Sequence, residues 1–537
     1  MTFLIVHGYY LQGAGSNFFV YHTCKSLVEL GHDVILVCQE TAVWDYDIIT
    51  EVWDYLPDQN QFNLTLKREQ KHKGRCVLYR PFIGKNLPVF TYEDHQPFIS
   101  RELCYMSDED ITTYVNYNVH ALEDIFQHHS IDVLWAHHCI LQPYIVSNVT
   151  TIPETCYRIA TIHGNAIHCI QKKKTLIRYV IDGLKNFHHI CFTSPEIQKE
   201  FTSLFQEIVL QDKNEDINQW ENRMSIIFPG IDTDLFHPIE KETSKASVLE
   251  EVLQLTKSQT QVGPTVLNED HYWDTDVLEM FRLSTINTQT HPMILFFGRY
   301  IWTKGIQMLA IAIPLILQKH PNARFVFTGY GPTQTYAETL ISYLHHGRQE
   351  LFLESIQNPD LWDAQIEHYT TTYLRSFLHW MEDPAFRDHY FHAAKNEIQK
   401  AVYFTGYLDQ PIVSKLIRCA DISVFPFLIP ESFGGVTLES LGSGVIPLIS
   451  DRCAFVDFMP LYQGLIKEYL PNFSYQPISL DDEFIFSLSR MVVHMLDQLS
   501  TLTTPDKQTL RKDLHNKTTE YFSWESMILK YMKLLGL

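Results

Sequence analysis

Apolar residues along this chain fall into short unbroken runs separated by stretches of helical period, and the alternation repeats. Leu4 to Val6 is such a run; a glycine-bearing loop follows, Val20, Cys24 and Leu27 recur at helical spacing, and Gly31 precedes a second run from Val34 to Cys38. This pattern predicts strand, helix, strand, with Gly31 as the left-handed residue that closes the helix. Further strand-like runs lie at 133–137 (VLWAH), 158–164 (RIATIHG), 188–194 (HHICFTS) and 224–230 (MSIIFPG). The grammar restarts at 293–298 (MILFFG) and continues at 323–329, 401–408, 421–427 and 445–450. Apolar runs alternating with helices predict parallel sheets covered on both faces, here twice in series. The expected organisation is a first domain at 1–225, a second at 226–515, and an amphipathic helix at 516–537 packing back toward the first domain. Two interruptions fall in the second domain: a polar segment at about 239–291, read as a linker plus a poorly ordered insertion, and a helical elaboration at about 333–400.

Composition narrows the function. At 537 residues the chain exceeds what one core supports. Its 63 acidic against 42 basic residues give a formal charge of −21, which repels nucleic-acid phosphates, and no basic stripe is interleaved with aromatics. Ten cysteines show neither a Cys-x-x-Cys pair nor zinc-site spacing, as in a reducing compartment, and no metal is expected. The opening MTFLIVHGYY lacks a basic n-region, and the longest apolar stretch, MLAIAIPLIL, falls short of the ~18 residues of a membrane span. A cytoplasmic protein is the expectation. Lys172, Lys173, Lys174 and Arg178 flank an Ile/Leu/Val stripe and form a candidate weak peripheral contact with anionic lipid or an anionic acceptor.

The segment PESFGGVTLESLGSG, 430–444, carries the chemistry. Glycines before a helix expose backbone N–H groups and the positive end of the helix dipole, so Phe433, Gly434, Gly435 and Val436 are placed to bind an anion. A carboxylate on each side, Glu431 and Glu439, suits a ligand with a diphosphate in the middle and a hydroxylated sugar at each end. In FFGRYIWTKG, Arg299 and Lys304 leave the first strand of the second half at its carboxyl end, where doubly wound sheets bind ligands. Together they neutralise a departing diphosphate without a metal ion. Gly13-x-Gly15 after the first strand, with Glu40 at the end of the second, invites a dinucleotide reading, but bulky Phe18 stands where the third glycine of that fingerprint belongs.

These motifs, with GYGP at 329–332, FPGIDTDLFHP between the halves and GSNFFVYHTCKSLVELGHDV after the first strand, resemble the retaining nucleotide-sugar glycosyltransferases of family 4. The resemblance implies a GT-B fold: α/β, two Rossmann-like doubly wound parallel-sheet domains facing a cleft, with the helical insertions outside the matched motifs. It implies metal-independent transfer of a sugar from a nucleoside-diphosphate-sugar to a saccharide or lipid-linked acceptor, with no cofactor. By position, Arg299 and Lys304 hold the diphosphate, Phe433 to Val436 bind phosphate and sugar, and Glu431 takes the donor sugar's hydroxyls. Glu439 takes the ribose, the main chain near Gly331 and Leu408 lies by the base, Gly15 touches the donor, and His163 matches the family's histidine near the sugar. The chain departs from the pattern at Ala14-Gly15, usually Gly-Gly, and at Ala166, usually acidic. A non-catalytic nucleotide-sugar-binding or scaffold protein and a nucleotide-sugar epimerase on the same fold are the alternatives.

Overall fold

The computed structural model describes residues 1–12, 15–59, 61–90, 97–209, 220–240, 244–262, 277–358, 372–395, 397–431 and 433–536. The chain forms two compact α/β units: Met1–Gly230 with Trp524–Leu537, and Ile231–Ser523.

The first unit is built on β1 (Thr2–Val6), β2 (Asp33–Val37), β3 (Ile49–Leu56), β4 (Gln61–Lys67), β5 (Cys76–Arg80), β6 (Asn86–Val89), β7 (Ile99–Glu102), β8 (Val133–His137), β9 (Tyr157–Ile162), β10 (His189–Phe192) and β11 (Met224–Ile226). Nine of these form one sheet in the order β11-β10-β9-β8-β1-β2-β5-β3-β4, parallel except at the antiparallel edge pair β3–β4, while β6 and β7 pair separately. Because β1 is central, with β2 on one side and β8 on the other, the strand order reverses there. Alternate residues of each strand enter opposite cores. Leu4, Val6 and Leu134 join one; Phe3, Ile5 and Trp135 join the other, which the helix Gly15–Glu29 and the helix Trp524–Leu534 cover through Phe19, Leu27, Ile528 and Tyr531. The strands β3 to β7 were not predicted. ITEVWDYL mixes apolar and polar residues without a clean period, β3 is only half buried and β4, at the sheet edge, is largely exposed, so neither shows the unbroken apolar run of the central strands.

The second unit carries β12 (Met293–Arg299), β13 (Arg324–Tyr330), β14 (Val402–Phe404), β15 (Ile422–Phe425) and β16 (Ile446–Ile449), all parallel, in the order β14-β13-β12-β15-β16. Its strand order reverses between β12 and β15. The apolar run around MLAIAIPLIL is the helix Ile306–Leu317, almost wholly buried, and among the described residues no helix is long and apolar enough to cross a membrane.

Three expectations are corrected here. The polar segment at 239–291 is not loose where it is described: the helix Lys245–Val262 buries Val248, Leu249 and Val252, and Lys245 Nζ lies 2.6 Å from Asp421 Oδ1 at the foot of β15. Its polar composition reflects a helix with one apolar stripe; the residues 263–276 lie outside the described set. The boundary at 225/226 falls inside β11, whose pairing with β10 keeps it in the first unit. The boundary at 515/516 falls inside the helix Thr504–Phe522 of the second unit, and the chain rejoins the first unit only at Trp524.

Candidate functional site

In the second unit the carboxyl ends of β12 and β15 adjoin at the reversal point, the position at which open α/β sheets take ligands. Arg299 is the last residue of β12, with an exposed side chain. Lys304 ends the 3₁₀ turn Trp302–Lys304. A backbone bond from Leu428 N–H to the Thr303 carbonyl, 2.8 Å, straps this turn to the segment leaving β15. The Lys304 ammonium consequently lies 5.1 Å from the Phe427 ring centroid and pairs with the Glu431 carboxylate. Glu431 is held by its main chain, its N–H donating to the Arg452 carbonyl at 2.7 Å and its carbonyl accepting from Ala454 N–H at 3.1 Å.

Gly434 caps the helix Gly435–Gly442 in the left-handed region at φ 68°. A β-carbon there would sit 2.5 Å from Cys453 Sγ and 3.7 Å from Glu431 Cγ, so the glycine is required by conformation and by space, and the Glu431 side chain lies at the helix cap. A methyl built on Gly298, next to Arg299, would lie 4.0 Å from Val436 Cγ1, in the first turn of the same helix. Arg299 therefore leaves its strand beside the first turn of that helix, and Lys304 reaches the cap through Glu431. Glu439, on the second turn, is half-buried; loss of hydration pushes its carboxyl up to about 7, against a hydrogen bond from Gln410. Leu408 is buried two residues before Gln410, beyond β14, and Gly331 follows β13, packed on the Tyr300 carbonyl. A bond from Gly329 N–H to the Gly406 carbonyl, 3.0 Å, ties those two exits together. Arg299, Lys304, Glu431 and Gly434 to Val436 are thus brought to one place, with Glu439 joined to the Leu408 segment through Gln410; Ser432 lies outside the described residues.

The first unit holds His163 and Gly15. His163 directly follows β9 and caps the helix Gly164–Lys172; burial lowers its imidazole to about 3, so it is neutral at neutral pH. Gly15 opens the helix Gly15–Glu29, and one turn later Phe19 packs on His163 with ring centroids 5.3 Å apart; Gly13 and Ala14 lie outside the described residues. The sequence reading missed what surrounds His163. His7, at the end of β1, and His137 and His138, at the end of β8, stack around it, with His137 Nδ1 3.2 Å from His163 Nε2. The signal was present in "VHGY" and "WAHH" at strand ends.

Glu40 is occupied structurally: its carboxylate accepts from Leu11 N–H at 2.8 Å and Ala42 N–H at 2.6 Å, which removes the ribose-binding role of the dinucleotide reading. In the basic cluster, Lys172 pairs with Glu102 at 2.9 Å and Arg178 with Asp108 at 2.9 Å, and Lys173 donates to the Met106 carbonyl at 3.0 Å, so much of the charge offered to an anionic surface is met within the chain. All ten cysteines are free and buried, and among the described residues no group of three or more His, Cys, Asp or Glu side chains is arranged to hold a metal ion.

No protein-family model matches the chain. It is 24% identical over 214 residues to an uncharacterized glycosyltransferase of Methanocaldococcus jannaschii, a match covering 39% of this chain and 41% of that protein, about two fifths of each. Among solved structures, sucrose-phosphate synthase of Thermosynechococcus elongatus superposes with a TM-score of 0.51 at 14% identity, covering 100% of this chain and 98% of the other. The trehalose-6-phosphate synthase OtsA gives 0.52 at 9% identity, covering 100% and 99%. Anabaena HepE in complex with UDP and glucose gives 0.50 at 11% identity, covering 99% of each chain. These likenesses show the fold: the chain has the GT-B class expected of it, with two Rossmann-like units.

Proposed function

We propose that this chain is a retaining, metal-independent glycosyltransferase of the family-4 type that moves a sugar from a nucleoside-diphosphate-sugar to a saccharide or lipid-linked acceptor in the cytoplasm. The observation that carries the reading is the meeting of Lys304, Glu431 and the Gly434 cap at the reversal point of the second sheet, with Arg299 leaving its strand beside Val436. Two cations and the N-terminal end of a helix at one point suit a pyrophosphate that gains charge as it departs. The named relative is a glycosyltransferase, and HepE, of like fold, is a complex with UDP and glucose, which supports a nucleotide-sugar donor.

In this reading the anomeric carbon–oxygen bond to the β-phosphate breaks while Arg299 and Lys304 take up the developing charge in place of a metal. The acceptor hydroxyl attacks the face the phosphate leaves and passes its proton to the β-phosphate oxygen, so configuration is retained. Glu431 exchanges its contact with Lys304 for hydroxyls of the donor sugar, Glu439 receives the ribose diol, Gly331 and Leu408 border the base, and Gly15 meets the donor. His163, a neutral imidazole, hydrogen-bonds a sugar hydroxyl and acts as a polar contact rather than a charge. No cofactor enters.

Charge stabilisation in the transition state sets the test. Arg299→Ala and Lys304→Ala each lower kcat by about 100-fold or more while donor affinity falls by about tenfold or less. Steady-state release of nucleoside diphosphate, with donor binding measured by calorimetry, reads both. Near-normal turnover in either variant overturns the mechanism; donor binding without turnover in the unmodified chain identifies a sensor, and an altered but unreleased sugar an epimerase.

A further inference from the structure

The passage leaving β16, Ser450 to Ala454, meets the site of the second unit at Phe427, at Glu431 and at the Gly434 cap. Ser450 Oγ donates to the Phe427 carbonyl at 2.6 Å, and Phe427 is the ring against which the Lys304 ammonium rests. Glu431 and Cys453 form a parallel bridge, the Glu431 main chain being bonded on either side to Arg452 and Ala454. The passage is anchored in turn from behind, where Asp451 N–H donates to the Ile478 carbonyl at 3.0 Å. A carboxylate and a helix cap carried on a loop need such a template, because small displacements at a reacting phosphate cost rate steeply.

Cys453 makes the contact with the cap. Its side chain is 2% exposed, and a β-carbon on Gly434 would stand 2.5 Å from its sulfur. The sulfur lies 3.8 Å from the Phe433 carbonyl and 3.9 Å from Thr437 Oγ1, so it touches the residue before the cap and the first turn of the helix Gly435–Gly442 together. Thr437 N–H donates back to the Gly434 carbonyl at 2.8 Å, which ties that turn to the cap. Burial pushes the thiol up to about 12, so it stays protonated and acts through its volume rather than through charge. Close-packed surroundings do not simply refill the space of a deleted atom, and the stand-off between cap and passage is therefore set by this sulfur. Cys419 offers the contrast: fully buried ahead of β15, at the end of the strand away from the site, its thiol faces only the Lys245 and Lys415 carbonyls, at 3.6 and 3.5 Å.

We propose that Cys453 is a positioning residue of the donor site: its sulfur fixes the Gly434 cap and its main chain fixes Glu431, so that both meet the sugar diphosphate in register. It acts through these two groups and does not itself touch the donor. This rests on the transferase reading above and adds to it the part of the chain that holds the phosphate end in place.

The test compares the full chain with Cys453→Ala, Cys419→Ala, Gly434→Ala and the double variant Gly434→Ala/Cys453→Ala, titrating UDP, GDP and ADP by calorimetry well below each melting temperature. Cys453→Ala should weaken the tightest of the three about fivefold or more, the effect of a loosened cap. Cys419→Ala, which deletes the same atom from the same unit, should lower the melting temperature by a similar amount and leave that affinity unchanged. In Gly434→Ala the added methyl meets the sulfur, so there the removal of the sulfur should raise the affinity: one substitution acts with opposite sign in the two backgrounds. Unchanged affinity in Cys453→Ala, an equal loss in Cys419→Ala, or no gain on adding Cys453→Ala to Gly434→Ala each overturn the proposal; if Gly434→Ala does not fold, the two cysteine variants decide it. Nucleoside diphosphate binding that responds to Cys453→Ala without any donor turnover removes the transferase reading and leaves the positioning role standing. Binding and turnover that both ignore Cys453→Ala remove the positioning role alone, and absence of binding in the unmodified chain removes both.

Discussion

Glu439 carries the clearest titration in the second unit. Its carboxyl is desolvated and pushed up to about 7, so near neutrality about half of the molecules hold the proton. A diol donating two hydrogen bonds needs the ionised form. Binding then draws the proton off, and affinity for a nucleoside diphosphate should rise with pH from about 5, changing by up to about tenfold per unit, and level off above 7. Glu439→Gln should flatten this profile in calorimetric titrations; an affinity that stays level or declines with rising pH in the unmodified chain removes Glu439 from the ribose site. For the free protein the sign is opposite. The folded value lies above the ordinary 4.5, so the folded state binds the extra proton, and this group's contribution to stability falls as pH rises between 4.5 and about 7. Residues of this site were legible because they fall in two contiguous strand–loop–helix passages, Arg299 and Lys304 after β12 and Glu431, the glycines and Glu439 after β15. Of the first unit's histidines only His163 was singled out; His7 and His137 come from other strands, and only the sheet order makes them its neighbours.

At the scale of elements, the helix Trp524–Leu534 shows how packing decides a role. Its buried positions, Met527, Ile528 and Tyr531, are at helical spacing and lie in the core that Trp135 and Phe19 share. Tyr531 meets Trp135 with ring centroids 4.2 Å apart and places its hydroxyl 3.0 Å from Thr161 Oγ1, which also accepts from the Trp135 indole at 2.8 Å. Tyr531→Ala should cost the first unit about 3–5 kcal/mol and Tyr531→Phe only about 1 kcal/mol, read from hydrogen exchange in β8 and β9. Equal losses in the two variants would mean that the hydroxyl, not the ring, is the anchor. The same physics explains which elements the sequence revealed. Central parallel strands bury both faces and read as apolar runs, whereas β3, β4 and β7, half exposed or exposed, carry no such run; β5, with Cys76 to Tyr79 buried between β2 and β3, does carry one and was overlooked.

Across the whole molecule the two units should answer acid differently. Burial lowers His7 to about 4 and His163 to about 3, and puts His137 and His138 well below the ordinary value of 6.5. Unfolded chains therefore bind protons that the folded first unit excludes, and its stability falls as pH drops below 6.5. In the second unit Asp421 is held below its ordinary 3.8 by Lys245 and Arg511, despite burial, so its stabilising contribution is present above that value and lost only at lower pH. Between pH 7 and 5, amide exchange corrected for intrinsic rates should accelerate in β1, β8 and β9 more than in β12 and β15; uniform acceleration would show that the histidines are solvated.

The path of the chain carries one more consequence. Ribosomes deliver sequence in order, so the strands of the first unit emerge long before Trp524–Leu534, with all of the second unit made in between. At ~5–20 residues per second this delay is on the order of tens of seconds. Throughout that interval the nascent sheet leaves the side around Trp135 incompletely covered, open to chaperones or to aggregation, and its final closure has to wait for translation to reach the far end.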